Sequence, residues 1–201
     1  GAKKVGLEPR TVAQALLDRP GCSAEWVVIK CGPDGAMLFQ RDGDEVRMGS
    51  PVVEVGDTVG CGDSAAAAIV LGYLNIMKRK RKAKVAAAAA AMEVEMRAGS
   101  VEEVDDAAAA GAAGVLPPEE LRALLEETLA LATAVGAATA TGTGAGRNVA
   151  TAAKVRELLD GCAASGGGQE SCGYGVSAEA AVRAKALLDA TLTRRSERAA
   201  M

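Results

Sequence analysis

Residues 54–74 read EVGDTVGCGDSAAAAIVLGYL. Between positions 56 and 63 stand three glycines, two aspartates and a cysteine, and the text then turns abruptly to alanine and aliphatic residues. The pattern predicts a strand, PVVEV, that ends in DTVGCGD and opens directly into a buried helix from Asp63 to about Tyr73, with small residues in its first turns. Such a helix mouth gathers unpaired backbone N–H groups at its N-terminus, where the macrodipole also favours negative charge. Glycines at 60 and 62 let the backbone approach a ligand closely. Together these features describe an anion hole that suits a phosphate.

Asp63 has two readings at this level. It is an N-cap accepting bonds from first-turn amides, or a base beside the anion hole that takes the proton of an attacking hydroxyl. Asp57 is likewise a turn former at a strand end or the anchor of a cation loop. Local physics leaves both pairs open.

Working outward, TVAQALLD (11–18) reads as a short helix stopped by Arg19-Pro20-Gly21. WVVIK, AMLF and EVRM read as short strands separated by the turns CGPDG and QRDGDE. After the helix come KRKRKAK at 78–84, six alanines at 86–91, and six acids between 93 and 106. Charge blocks and alanine runs bury little area, so a solvated insertion is expected there. LPPEELRALLEETLALATAVGAATA begins a helix at Pro117-Pro118, with an apolar stripe of Leu121, Leu124, Leu125, Leu129 and Ala132. TGTGAGRN ends it, TAAKVRELLD is another short helix, residues 161–175 are a Gly/Ser-rich linker, and SAEAAVRAKALLDATLTRR is a peripheral helix. The expected divisions are therefore 1–75, an insertion at 76–114, a second ordered block at 115–160, and a linker with helical tail at 161–201.

Composition bounds the chemistry. The 201 residues are 49% hydrophobic but only 2% aromatic, so the expected core is thin and rests on Val, Leu, Ile and Met. A formal net charge of -3 argues against a nucleic-acid binder. Histidine is absent, which removes Ser-His-Asp and Cys-His nucleophile pairs and every His-ligated metal. Five scattered cysteines without a CxxC pair indicate neither zinc nor a disulfide framework, and point to an intracellular, reducing compartment, with cytoplasm and plastid not separated. The apolar run from Ser64 to Met77 is too short to span a bilayer, and no secretory signal opens the chain.

The segment DTVGCGDS resembles the second signature of the PfkB (ribokinase-like) carbohydrate kinases, written DTxGAGDxF in most members. WVVIKCGPDGAMLF resembles the family strand and turn beside the nucleotide, and LATAVGAATATGTGAGRNVATAAKVREL resembles its closing helix and late loop. The three blocks keep the family order and cover roughly half the chain; GCGD and GAGRNVA are closest to plant-type members. The resemblance implies an α/β, Rossmann-like fold and an ATP-dependent transferase (a kinase) that moves the γ-phosphoryl group to a hydroxyl of a sugar or nucleoside-like alcohol, with magnesium and, in many members, potassium. It implies Asp63 as catalytic base and Gly60, Cys61 and Gly62 as the anion hole. It further implies Lys30, Gly32 and Thr133 as nucleotide contacts, and Asp57, Val59, Gly144 and Asn148 as monovalent-cation partners. No magnesium ligand is identified. The implied partners are ATP and the small acceptor, without nucleic acid or membrane; a homo- or hetero-oligomer is compatible with them.

Two departures accompany the likeness. Cys61 replaces the usual Ala and reads as a small buried residue, and Ala65 stands where an aromatic usually packs. The family's preceding half, with most of its sheet, its sugar-binding glycines and its lid, has no counterpart before Gly1. The expectation is a C-terminal, nucleotide-binding half that is a poor enzyme by itself. Its alternatives are a non-catalytic nucleotide-binding or assembly protein and a chain that does not fold stably.

Overall fold

A computed structural model describes residues 8–98, 116–142, 150–165 and 175–199. Helix α1 (Pro9–Leu17) leads to strands β1 (Trp26–Lys30), β2 (Ala36–Gln40) and β3 (Glu45–Met48), followed by helices α2 (Cys61–Ala98), α3 (Pro118–Ala140), α4 (Ala152–Ala164) and α5 (Ala178–Ala199). The three strands form an antiparallel meander in the order β1-β2-β3. Val28 pairs with Leu38 and Leu38 with Val46, which aligns one apolar row across the sheet toward the helices. Between β1 and β2 lies a single 3-10 turn, Gly32–Asp34. Gly35, at φ +91°, has no room for a side chain: a Cβ there would stand 2.0 Å from the Met48 carbonyl oxygen.

Helix α3 is the spine. It is buried almost continuously from Leu124 to Ala140, because α2, α4, α5 and the edge strand β3 all pack on it. It is also long and apolar enough to cross a membrane by length and composition, but 78% of that window is buried inside the protein. Pro117 and Pro118 start it, as expected, since proline at the first helical position sacrifices only an amide that has no intrahelical partner. Where α2 crosses α3 the helices nearly touch: a Cβ on Gly72 would lie 2.2 Å from Thr128 Oγ1.

Several expectations need correction. Strands and helices are both present, but the three strands are consecutive and antiparallel rather than alternating with helices, and no parallel, Rossmann-like strand pair occurs among the described residues. PVVEV is not a strand. Extended backbone becomes a strand only with a ladder partner, and residues 51–55 find none among the described residues; Val52 and Val55 stay exposed. The helix at the motif does not end near Tyr73 but runs on to Ala98, so residues 76–98 of the expected insertion are helical. Lys, Arg and Ala are all strong helix formers, Ile76 is buried, Ala83 packs on the core, and Lys80 pairs with Glu25 at 2.8 Å. Residues 99–115 lie outside the described residues. The C-terminal helix is not peripheral: Ala180, Ala181, Ala184 and Leu187 belong to the core. Residues 161–164 of the expected linker complete α4.

Candidate functional site

The helix mouth is built by four elements. Gly60 takes φ +85°, a left-handed conformation that costs an L-residue about 1–2 kcal/mol, and this turn aims the chain into α2. The Cys61 amide donates to the Thr58 carbonyl at 3.3 Å and the Ser64 amide to the Gly60 carbonyl at 2.9 Å. The amides of Gly62 and Asp63, between them, find no backbone acceptor among the described residues, as the first turn of a helix requires. Asp57 Oδ1 accepts the Val59 amide at 2.9 Å, the side-chain turn that short acids make. The loop is stitched to the end of α3 by Gly56 and Asp57, whose amides both donate to the Ala140 carbonyl, at 2.8 and 3.3 Å.

Lys30, the last residue of β1, reaches this mouth. Its Nζ donates to the Gly62 carbonyl at 2.8 Å, which places an ammonium on the first turn of α2. A Cβ on Gly62 would stand 3.0 Å from that nitrogen, so a side chain there would crowd the ammonium by a few tenths of an ångström.

Beside the mouth lies a cavity of about 610 Å³, within the range of small-molecule sites. Its walls are the β1–β2 turn (Lys30, Gly32, Pro33, Gly35), the extended segment 50–53 with Val55, the helix mouth (Thr58, Cys61, Gly62, Ala65, Ile69), and one face of α3 (Ala132, Thr133, Gly136, Ala137, Ala140). The walls are mostly apolar, and Lys30 is the charged residue among them. Of the expected nucleotide contacts, Lys30, Gly32 and Thr133 thus line one cavity together with Cys61 and Gly62 of the expected anion hole. Thr133 is buried and donates its hydroxyl to the Ala130 carbonyl at 3.2 Å. Gly60 shapes the turn but does not line the cavity.

Asp63 is exposed and lies outside the lining residues. It is the third residue of α2 rather than its N-cap, and its carboxylate takes no hydrogen bond among the described residues, which removes the capping reading. Its position in the first turn, next to free amides, still suits a negative charge. Asp57 and Val59 share the loop, whereas Gly144 and Asn148 lie outside the described residues, so the expected cation set is only half placed. Among the described residues no group of three His, Cys, Asp or Glu side chains stands close enough to hold a metal ion.

Cys61 is half-buried, with its thiol 3.8 Å from the Asp57 carbonyl. Burial, and then the charge of Asp57, push the thiol up from its ordinary value, so the reactive thiolate is disfavoured. That agrees with a small packing residue. Ala65 also lines the cavity.

Of the α3 face sequence reasoning named only Thr133, and it missed the stitching glycine. A Cβ on Gly56 would lie 2.7 Å from the Gly142 carbonyl oxygen, a contact no local pattern reveals. The α3 face was readable in principle: Ala132, Gly136 and Ala140 recur every fourth residue, the spacing of one helix face made only of small residues.

Comparison with known families and proteins bears on this site. The family described as pfkB family carbohydrate kinase matches residues 6–106, a range that contains the sheet, the β1–β2 turn, the helix mouth and α2 up to its end. Thr133, Gly144 and Asn148 lie beyond the matched range. No curated protein and no solved structure matches the chain. The family match spans half of the 201 residues and contains the helix mouth and the turn that wall one side of the cavity; the chain belongs to the pfkB family of carbohydrate kinases.

Proposed function

We propose that this chain carries the phosphate-binding side of an ATP-dependent phosphotransferase with a ribokinase-like fold, equivalent to the C-terminal portion of a plant-type member. The observation that carries the reading is the convergence of the free Gly62 and Asp63 amides, the Lys30 ammonium and an apolar cavity at one helix mouth. In this reading the adenine occupies the apolar wall formed by Ala132, Gly136 and Ala137. The triphosphate extends toward Lys30 and the amides of Gly62 and Asp63, since the Cys61 amide of the expected anion hole is already taken by the Thr58 carbonyl.

The residues present fit a nucleotide in volume, in polarity and in the placement of cationic and N–H donors. Magnesium, when bound with ATP, would neutralise phosphate charge, held mainly by the phosphates themselves. Asp57 and the loop around Val59 would serve a potassium ion.

Asp63 then acts as general base. It accepts the proton of the acceptor hydroxyl, whose oxygen forms a bond to the γ-phosphorus as the bond from that phosphorus to the β-phosphate oxygen breaks and ADP leaves. The amides at the helix mouth stabilise the charge on the transferring group. The acceptor class is a sugar or related alcohol.

A second reading, nucleotide binding without transfer, has its own observation: Asp63 is exposed and stands outside the cavity. One experiment separates the two. The chain is incubated with ATP and magnesium across a panel of sugars and nucleosides while ADP release is followed, alongside Asp63→Asn. Transfer that falls roughly 10²- to 10⁴-fold in the variant, with ATP affinity unchanged, supports the kinase reading. ATP binding without transfer to any acceptor supports the second, and equal transfer by wild type and variant rejects Asp63 as base.

A further inference from the structure

Helix α2 is apolar on two opposite faces. One face, including Ala68, Gly72 and Ile76, is turned to α3 and the core. On the other side Val70, Leu74, Met77, Val85, Met92 and Met96 recur at steps of four, three, eight, seven and four residues, all of them exposed and Met96 the most, at 77%. At about 100° per residue these positions fall on a single stripe, diametrically opposite the α3 face. Arg81 and Ala88 fill its two longer gaps in the same register. The helix spans 38 residues, about 57 Å, so its second half presents this stripe to solvent over several turns.

Charge is distributed along the same helix in two blocks. Lys78 to Lys84 contribute six cations, Ala86–Ala91 contribute none, and the acidic stretch begins at Glu93. We propose that the second half of α2 is a self-association surface on which a second copy of this chain packs antiparallel, with the two helices crossing at Ala88 and Ala89.

In that arrangement Val85 of one copy lies opposite Met92 of the other, Ala88 opposite Ala89, and Arg81 opposite Met96. The alanines at the crossing allow close approach of the two backbones. Each basic block lies alongside Glu93 of the other copy, nearest at Lys82, whereas a parallel pair would set Lys78–Lys84 against themselves. Flanking charges of this kind set the orientation of paired helices. A two-fold axis through the crossing closes the contact, so association stops at two copies. This inference does not depend on the proposed activity.

The test is sedimentation velocity on the full chain over a range of micromolar concentrations. The expected species has twice the 20.2 kDa of a single chain, and it weakens with added salt as the flanking charges are screened. Val85→Glu with Met92→Glu should raise the dimer dissociation constant at least about tenfold. Both positions are solvent-exposed within one copy, so the melting of the monomer should not change. Independently, Lys82→Glu should weaken the dimer and Lys82→Glu with Glu93→Lys should restore it, because the second change re-creates the opposite-charge pair. A monomer at every concentration overturns the proposal. So does an oligomer that persists in the double glutamate variant, or one that the charge exchange fails to restore.

Discussion

At the level of single residues, the helix mouth depends on two glycines for different reasons. Gly60 supplies a left-handed turn, while Gly62 has an ordinary backbone and supplies only the absence of a Cβ next to Lys30. Gly62→Ala should therefore leave the melting temperature unchanged or slightly raised, since alanine is better in a helix than glycine by up to about 1 kcal/mol. It should at the same time shift the Lys30 ammonium by a few tenths of an ångström and weaken binding of an ATP analogue by no more than several-fold, measured by titration calorimetry. A melt lowered together with affinity would instead mean that the lysine contact holds the fold. The placement of Gly60 and Gly62 at the helix mouth was legible because they belong to one short motif, whereas the reach of Lys30 to the Gly62 carbonyl was not, because the two are 32 residues apart. The role of Gly56 was not, because its constraint comes from the Gly142 carbonyl, distant in sequence.

At the level of elements, the contact of α2 with α3 carries the site, since the mouth is the first turn of one helix and the cavity wall is the face of the other. The closest approach is at Gly72, where Thr128 leaves no space; Thr128 is itself buried and fixed by donating its hydroxyl to the Leu124 carbonyl at 2.7 Å. Gly72→Ala should destabilise the protein by about 1–3 kcal/mol through overpacking, read as a lower denaturant midpoint.

Directly before Thr128 on α3, Glu127 is 8% exposed and accepts a hydrogen bond from Asn75 Nδ2 at 3.2 Å. Burial pushes its carboxyl up, against the pull of Arg183, Arg79 and the Asn75 amide. The folded state thus holds this proton more tightly than the unfolded chain. The corresponding stability is full below the ordinary value of 4.5 and is lost as pH rises through the higher folded value. Glu127→Gln should flatten that decline, so that its stability relative to wild type improves from about pH 5 to pH 8 in parallel chemical denaturation series. An unchanged pH dependence would show that the arginines fully offset the burial.

The length of α2 shows why elements were only partly legible. A run of charges and alanines does not reveal in sequence whether anything covers it. Here Ile76 and Ala83 keep the helix on the core past the point where the apolar pattern fades.

For the whole molecule, the expectation of a core resting on Val, Leu, Ile and Met was incomplete. Alanines at 130, 132, 134, 138, 180, 181 and 184 are core residues, together with Leu124, Leu125, Leu129 and Leu131. Small side chains bury little area each, but they let helices pack closely around α3. The presence of both strands and helices was readable from the local apolar patterns, although the three strands run consecutively and do not alternate with helices; the antiparallel order of the sheet was set by the short Gly-containing turns between β1, β2 and β3, which join neighbours that must run oppositely. PVVEV was misread because a strand is a property of two segments, and only one of them could be seen.

The central claim is that the helix mouth binds the phosphates of a nucleotide. The most direct test follows the thermal unfolding of the full chain with increasing concentrations of a non-hydrolysable ATP analogue and magnesium, in parallel with adenosine. The account predicts a saturable stabilisation by the analogue, about 2.7 kcal/mol at a hundred times its dissociation constant, and little effect of adenosine at the same concentrations. No stabilisation by either ligand, or equal stabilisation by both, would contradict it.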